Sequence, residues 1–336
     1  MLHKQKKYAQ TFFHRAIYFR RDICFRKAAY FRRAAAAVAL AMGINCTAQA
    51  NVVTSIRPLG FIAAAIADGV TKTQVLMPDG ASPHDYALKP SDIRTLNQAD
   101  LVVWIGPDME TFLAKPIEKA AQNKQLELAD LPTIKPLLLK NSEDKHDANE
   151  SNQHEHATDH EHHHDGQYNM HIWLSPAIAE KTAQAIYERL VKLYPKQKQQ
   201  LEVNLRKFNG QLLQTDKNIS HALNAVRGKG YFVFHDAYGY FEKHYQLTPL
   251  GAFTVNPEIQ PGAQKLHNIR TQLVEQKAMC IFAEPQFRPA VIHAIAKGTH
   301  VRIGTLDPLG SGIVLNKDSY MKFITQLSEQ YLGCLS

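Results

Sequence analysis

Histidine sets this sequence apart, both in number and in placement. Seven of its 17 histidines (His146, His154, His156, His160, His162, His163 and His164) fall between Asn141 and Gly166, interleaved with eight Asp and Glu residues. Apart from alanine, the run from Asn141 to Gln167 has no apolar residue. Nothing there can offset the entropy of ordering, so a mobile surface loop is expected. Histidine-dense tracts of this kind mainly serve metal. Three more histidines stand where elements begin or end. His84 lies in Pro78-Asp79-Gly80-Ala81-Ser82-Pro83-His84-Asp85-Tyr86, whose Gly, Pro, Ser and Asp mark a loop. His235 follows the apolar run Tyr231 to Phe234, and Asp307 follows the run Val301 to Leu306. His171 precedes Ser175 and Pro176, a good N-cap and a good first helical residue.

Ligands of open parallel sheets bind in the crevice beyond the carboxyl ends of the strands. Three imidazoles and a carboxylate are thus placed where one site can form. A single histidine at a strand end is usually a core or surface residue, and spacing along the chain cannot prove convergence. The weight lies in the combination with the histidine-dense loop. Neutral imidazoles suit Zn, Cu, Fe and Ni, whereas Mn, Mg and Ca want oxygen ligands. Zinc held by His84, His171 and His235, with water or Asp307 in fourth place, satisfies its tetrahedral preference. With an unperturbed histidine pKa of about 6.5, zinc affinity is expected to fall below about pH 6.

The elements that must hold these residues read as α/β. Strands are expected over Val52 to Ile56, Thr73 to Met77, Leu101 to Ile105, Tyr231 to Phe234, Leu250 to Thr254, Met279 to Ala283 and Val301 to Leu306. Helices are expected over Leu59 to Ala67, Pro90 to Asn97, Met109 to Ala121, Pro176 to Leu193, Lys196 to Val226, Tyr238 to His244, Ala263 to Gln276, Pro289 to Ala296 and Ser319 to Leu332. Strands and helices mostly alternate, and several strands are continuously apolar, which favours parallel sheets buried on both faces. The stretch Lys196 to Val226, bounded by Pro195 and Gly228, is long enough at about 45 Å to join two lobes.

The first fifty residues read as an export signal. They hold ten basic residues against one acid, then an apolar run from Ala34 to Met42, then Ala48-Gln49-Ala50. That is a basic start, a short apolar stretch and a small-residue exit. The apolar run is too short to span a membrane. Asn45 before Cys46 is not the small residue that lipid attachment wants. The n-region is long enough to point to a start further downstream. Removing the segment's +9 from the chain's +8 leaves −1 over 286 residues, so the basic balance is no sign of nucleic acid. Cys280 and Cys334 remain, an even pair that reads as a disulfide in an oxidising compartment, against the alternative of two buried thiols.

Several of these segments together resemble the metal-binding subunits of bacterial ABC importers, and within them the periplasmic zinc-binding proteins of high-affinity zinc importers. The resemblance rests on Gly80-Ala81-Ser82-Pro83-His84-Asp85-Tyr86, Lys89-Pro90-Ser91-Asp92, Ala99-Asp100-Leu101-Val102-Val103-Trp104-Ile105-Gly106 and Met170-His171-Ile172-Trp173-Leu174-Ser175-Pro176. Tyr231-Phe232-Val233-Phe234-His235-Asp236-Ala237-Tyr238-Gly239-Tyr240 and Leu306-Asp307-Pro308-Leu309-Gly310 complete it. It implies two α/β lobes, 51–195 and 228–336, with mostly parallel sheets flanked by helices, joined by one long helix over 196–227. The metal site would lie in the cleft between them, with ligands at His84, His171 and His235 and Asp307 in or near the fourth position. Related manganese binders have a carboxylate where His235 stands, so the histidine argues for zinc. Some zinc relatives have Glu where this chain has Pro83. Cys280 and Cys334 match the disulfide of the zinc branch. The resemblance implies a monomer outside the membrane that hands Zn2+ to the permease of a zinc ABC importer. The rival is a zinc-dependent hydrolase or lyase with a three-histidine site, for which Asp236, Glu258 or Glu284 would have to move protons; nothing in the spacing places them there. An adhesin role, known for some relatives, has no repeat or anchor to support it.

Overall fold

The computed structural model describes residues 51–336 apart from 120–121, 142–165, 256, 260, 276–277 and 288–289. The export segment 1–50 and the seven-histidine loop therefore lie outside the described residues. In chain order the elements are β1 (Asn51–Thr54), α1 (Arg57–Ile66), β2 (Lys72–Val75), α2 (Pro90–Gln98), β3 (Leu101–Trp104), α3 (Thr111–Glu118), β4 (Gln125–Glu127) and α4 (Pro176–Leu193). There follow α5 (Lys198–Leu223), β5 (Tyr231–His235), α6 (Gly239–Tyr245), β6 (Gly251–Thr254), α7 (Ala263–Glu275), β7 (Cys280–Ala283), α8 (Ala290–Ala296), β8 (Arg302–Thr305) and α9 (Ser319–Leu335).

Two four-stranded sheets result, ordered β2-β1-β3-β4 and β6-β5-β7-β8. Every pairing in them is parallel. The central strands β3, β5 and β7 are buried along their whole length, as strands covered on both faces must be. The α/β expectation holds, including its two parallel sheets. β4 was not foreseen: Gln125-Leu126-Glu127 has one apolar residue, and its strand state comes from pairing Val103 with Leu126 beside β3.

The expected long helix is present but shorter. α5 has 26 residues, about 39 Å, between single 3-10 turns at Pro195–Gln197 and Asn224–Val226. Its buried stripe of Leu201, Asn204, Phe208, Leu212, Ile219 and Leu223 follows helical spacing. Asn204 is the one polar member. Its amide donates to the carbonyls of Ile66 and Asp68 at 2.9 and 2.8 Å, satisfying the open end of α1. Helices α1, α4, α5 and α9 pack on one another, and one buried apolar cluster runs through them from Val52 and Val103 to Tyr231 and Phe282. Both sheets thus share a core, which fixes their carboxyl ends relative to each other.

Candidate metal centre

Each histidine is held by a different local device. After β2 the chain stays bound to β1, with Leu76 and Met77 N–H donating to the carbonyls of Thr54 and Ser55. It then turns at Gly80, in the left-handed region at φ +79°. His84 follows, its N–H donating to Ser82 Oγ at 3.2 Å. Asp79 anchors this loop: it accepts from Gly312 N–H at 2.9 Å and pairs with Arg57 at 3.4 Å. Arg57 also donates to the carbonyls of Gly310 and Ile313. The His84 loop is thereby fastened to the loop that follows β8.

His171 stands at the start of a 3-10 turn, Ile172–Leu174, and just before α4, whose N-cap Ser175 accepts from Ile178 N–H at 3.3 Å. Asn169 fixes the ring. Its Nδ2 donates to the carbonyl of Asp236 at 3.0 Å, so its oxygen is the atom that accepts from His171 N–H at 3.0 Å and faces His171 Nδ1 at 2.8 Å. An amide oxygen can only accept, so Nδ1 carries the proton and Nε2 presents a lone pair. Trp173, packed beside the His171 ring, donates its indole N–H to the carbonyl of Pro308 at 2.7 Å. His235 is the last residue of β5 and is 2% exposed.

The three rings meet. Centroids are 5.5 Å apart for His84 and His171, 5.0 Å for His84 and His235, and 4.7 Å for His171 and His235. One ligand atom from each lies within 4.8 Å of the others, against the roughly 3.3 Å that tetrahedral zinc requires. Nε2 of all three is buried and has no hydrogen-bond partner. Burying one such group unsatisfied costs about 1–3 kcal/mol, and here three share one pocket walled by Pro83, Trp173, Phe287 and Leu309. The orphaned lone pairs are what a cation would take up.

The same burial keeps the rings of His84 and His171 neutral. Desolvation, then the neighbouring His235, pushes His84 down to about 3. Desolvation, then His235 and His84, holds His171 well below its ordinary value. Metal binds the neutral imidazole, so both rings are in the ligating form.

A family described as "Zinc-uptake complex component A periplasmic" matches residues 52–334. The chain belongs to this family. It is 64% identical over 307 residues to the high-affinity zinc uptake system protein ZnuA of Yersinia pestis, covering 90% of this chain and 96% of that one. The protein of the same name from Haemophilus ducreyi is 45% identical over 311 residues, covering 89% and 98%. A crystal structure of ZnuA superposes with a TM-score of 0.69 at 25% identity, covering 85% of this chain and 99% of that one. The periplasmic zinc binding protein TroA of Treponema pallidum, at 20% identity and a TM-score of 0.71 over 86% and 99%, shares the fold.

Within this zinc-uptake component, Asp307 is not among the converging groups of the described residues. Its carboxylate is taken by Gln286 Nε2 at 2.9 Å and by the N–H groups of Leu309 at 3.0 Å and Ser311 at 2.5 Å. It shapes the loop that lines the pocket. Gly310 in that loop has φ +66°, and a Cβ there would sit 2.8 Å from the rings of Phe61 and Phe323, so the close turn requires glycine. Cys280 and Cys334 are bonded, with Cα atoms 6.1 Å apart. Asn169, as the partner of His171, was missed. Its signal was its place two residues before His171, next to the run Met170 to Pro176.

Proposed function

We propose that this zinc-uptake component captures one Zn2+ through His84, His171 and His235 outside the cytoplasmic membrane and delivers it to the permease of a zinc ABC importer. The observation that carries this reading is the trio of buried Nε2 atoms without partners, on three rings whose ligand atoms come within 4.8 Å of one another. Water is the fourth ligand in this reading, and Asp307 acts through the Pro308–Ser311 loop. The lobes are 51–195 and 228–336, with 196–227 linking them. The free space at the rings is about 10 Å³, room for about one water-sized body and not for an organic substrate. That favours a carrier over a hydrolase or lyase. Metal analysis of the purified chain, with a competing chelator, tests the reading: one tight zinc is expected, and a chain that binds none would end it.

The location follows from the first fifty residues, which we read as a cleaved signal. The N–H of Asn51, the first residue of β1, already donates to Asp100 Oδ2 at 3.1 Å. Cleavage after Ala50 would make that nitrogen an ammonium facing a carboxylate. The exported form is expected to begin at Asn51 by intact mass, and a species retaining Cys46 would contradict it. Among the described residues no helix is long and apolar enough to cross a membrane.

His146, His154, His156, His160, His162, His163 and His164 serve, in this reading, as an auxiliary collector. The chain on either side of them is joined: Asn141 N–H donates to the carbonyl of Gln167 at 3.2 Å, Asn169 N–H donates to that of Leu139 at 2.8 Å, and Lys140 pairs with Tyr168. Deleting Ser142 to Asp165 can therefore be closed without moving Asn169 or His171. The deletion is expected to lower the number of zinc ions per chain at pH 7 and leave the tightest Kd nearly unchanged. Loop histidines at an ordinary pKa of about 6.5 should release zinc as pH falls below about 6. The buried site should hold zinc to lower pH than the sequence, read with an ordinary histidine pKa, suggests, because burial pushes His84 down to about 3 and holds His171 well below its ordinary value. At pH 5 the full and deleted chains should bind equal zinc. Loss of the tight site on deletion would show that the loop supplies a primary ligand.

A further inference from the structure

We infer that Glu284 is a positioning residue for the metal: it accepts the Nδ1 proton of His235 and so commits Nε2 of that ring to zinc. The inference rests on the three-histidine reading and goes one residue beyond it.

The placement comes from strand register. β5 and β7 are parallel neighbours with Tyr231 opposite Cys280, Phe232 opposite Ile281 and Val233 opposite Phe282. Continued two residues past the last of these pairs, that register sets His235 beside Glu284, and paired residues on neighbouring strands project to the same face. Glu284 Oε1 lies 3.5 Å from His235 Nδ1, and both side chains are all but fully buried. Each of these two atoms is also without a hydrogen bond of its own. The Tyr238 hydroxyl stands beside the same carboxylate, and burial first, then that charge, holds its pKa well above the ordinary value. Two orphaned buried atoms, one able to donate and one able only to accept, stand a small ring rotation from a full bond.

The parallel with His171 strengthens the case. There Asn169 Oδ1 engages Nδ1 at 2.8 Å and leaves Nε2 facing the pocket. Glu284 would do for His235 what Asn169 does for His171. Metal-bound imidazoles generally give their second nitrogen to such a partner, and its loss typically weakens metal affinity 10–100-fold. Asp307, another buried carboxylate, is already engaged by Gln286, Leu309 and Ser311.

The test compares Glu284→Ala, Glu284→Met, Glu284→Gln and His235→Ala in the mature chain. Zinc affinity is read by chelator competition, folding by melting of the metal-free protein, and the His235 tautomer by ring-nitrogen NMR. Glu284→Gln keeps the shape and an accepting oxygen, so it should bind zinc within a few-fold of the parent with Nδ1 protonated. Glu284→Met fills the space without accepting; it and Glu284→Ala should lose on the order of 10–100-fold and show both tautomers. Parent-like affinity in Glu284→Met or Glu284→Ala, or a Glu284→Gln as weak as Glu284→Met, overturns the inference. Should His235→Ala itself bind zinc like the parent, the three-histidine reading falls instead.

Discussion

Alanine at His84, His171 or His235 is expected to weaken the tight zinc by about 100-fold or more in each case, with the fold intact. The size follows from the ligand count. A structural zinc site is worth about 10–16 kcal/mol at pH 7 for four ligands, so one ligand carries about 3 kcal/mol, or roughly two decades in Kd. The fold should survive because the Nε2 atoms removed have no partner in the protein; the one resolved ring bond lost is that of His171 Nδ1 to Asn169 Oδ1, which the His171 N–H still engages. Melting of the metal-free variants should stay near the parent's, while the upward shift on adding zinc should shrink by the lost binding free energy. Asp307→Ala should act differently. It frees the N–H groups of Leu309 and Ser311, so the metal-free melting point should drop and zinc affinity should fall less than in the histidine variants. Normal zinc binding in all three histidine variants would remove the assignment.

Much of this was legible in the sequence, and the residues show why. Tyr231-Phe232-Val233-Phe234 is apolar without a break, so a buried parallel strand with His235 at its carboxyl end follows from composition alone. The same holds for Ser175-Pro176 at the start of α4, where capping chemistry fixes the boundary. Convergence was not legible. His84 reaches His235 because a shared core sets the two sheets' ends together, and no spacing along one chain encodes that. Asp307 was rightly placed at the end of β8, but its carboxylate could not be known to be spent on main-chain N–H groups two and four residues on. Turn-forming Asp side chains compete with ligand roles in just this way. Glu284 was named in the sequence only as a proton-moving candidate for an enzyme; its place beside His235 depends on the register of β7 against β5, a tertiary fact that a run such as Cys280-Ile281-Phe282-Ala283 leaves open.

Removing the disulfide should produce the largest loss of stability with no loss of zinc. Cys280 and Cys334 are 54 residues apart, and closing such a loop restricts the unfolded chain by about 4 kcal/mol in the entropy account. For a chain of this size that corresponds to roughly 7 °C in Tm. The bond joins the first residue of β7 to the end of α9, where the helix lies close on β8: a Cβ on Gly304 would come 2.9 Å from that of Cys334. α9 has other anchors. The Tyr331 hydroxyl shares the buried carboxylate of Glu242 with Tyr231, at 3.1 and 2.9 Å, and Phe323 and Leu327 lie in the core. A double Cys→Ser variant should therefore fold, melt lower and release no thiol signal, whereas the unfolded, unreduced parent should also titrate with no free thiols. Two reactive thiols in the parent would refute the bond. Zinc affinity at temperatures below the melt should match the parent, because Cys280 opens β7 while Glu284 follows its far end, about 13 Å away at strand spacing. A folded variant that bound zinc less tightly would instead make the bond part of the metal's support, acting through β7 on Glu284 and His235.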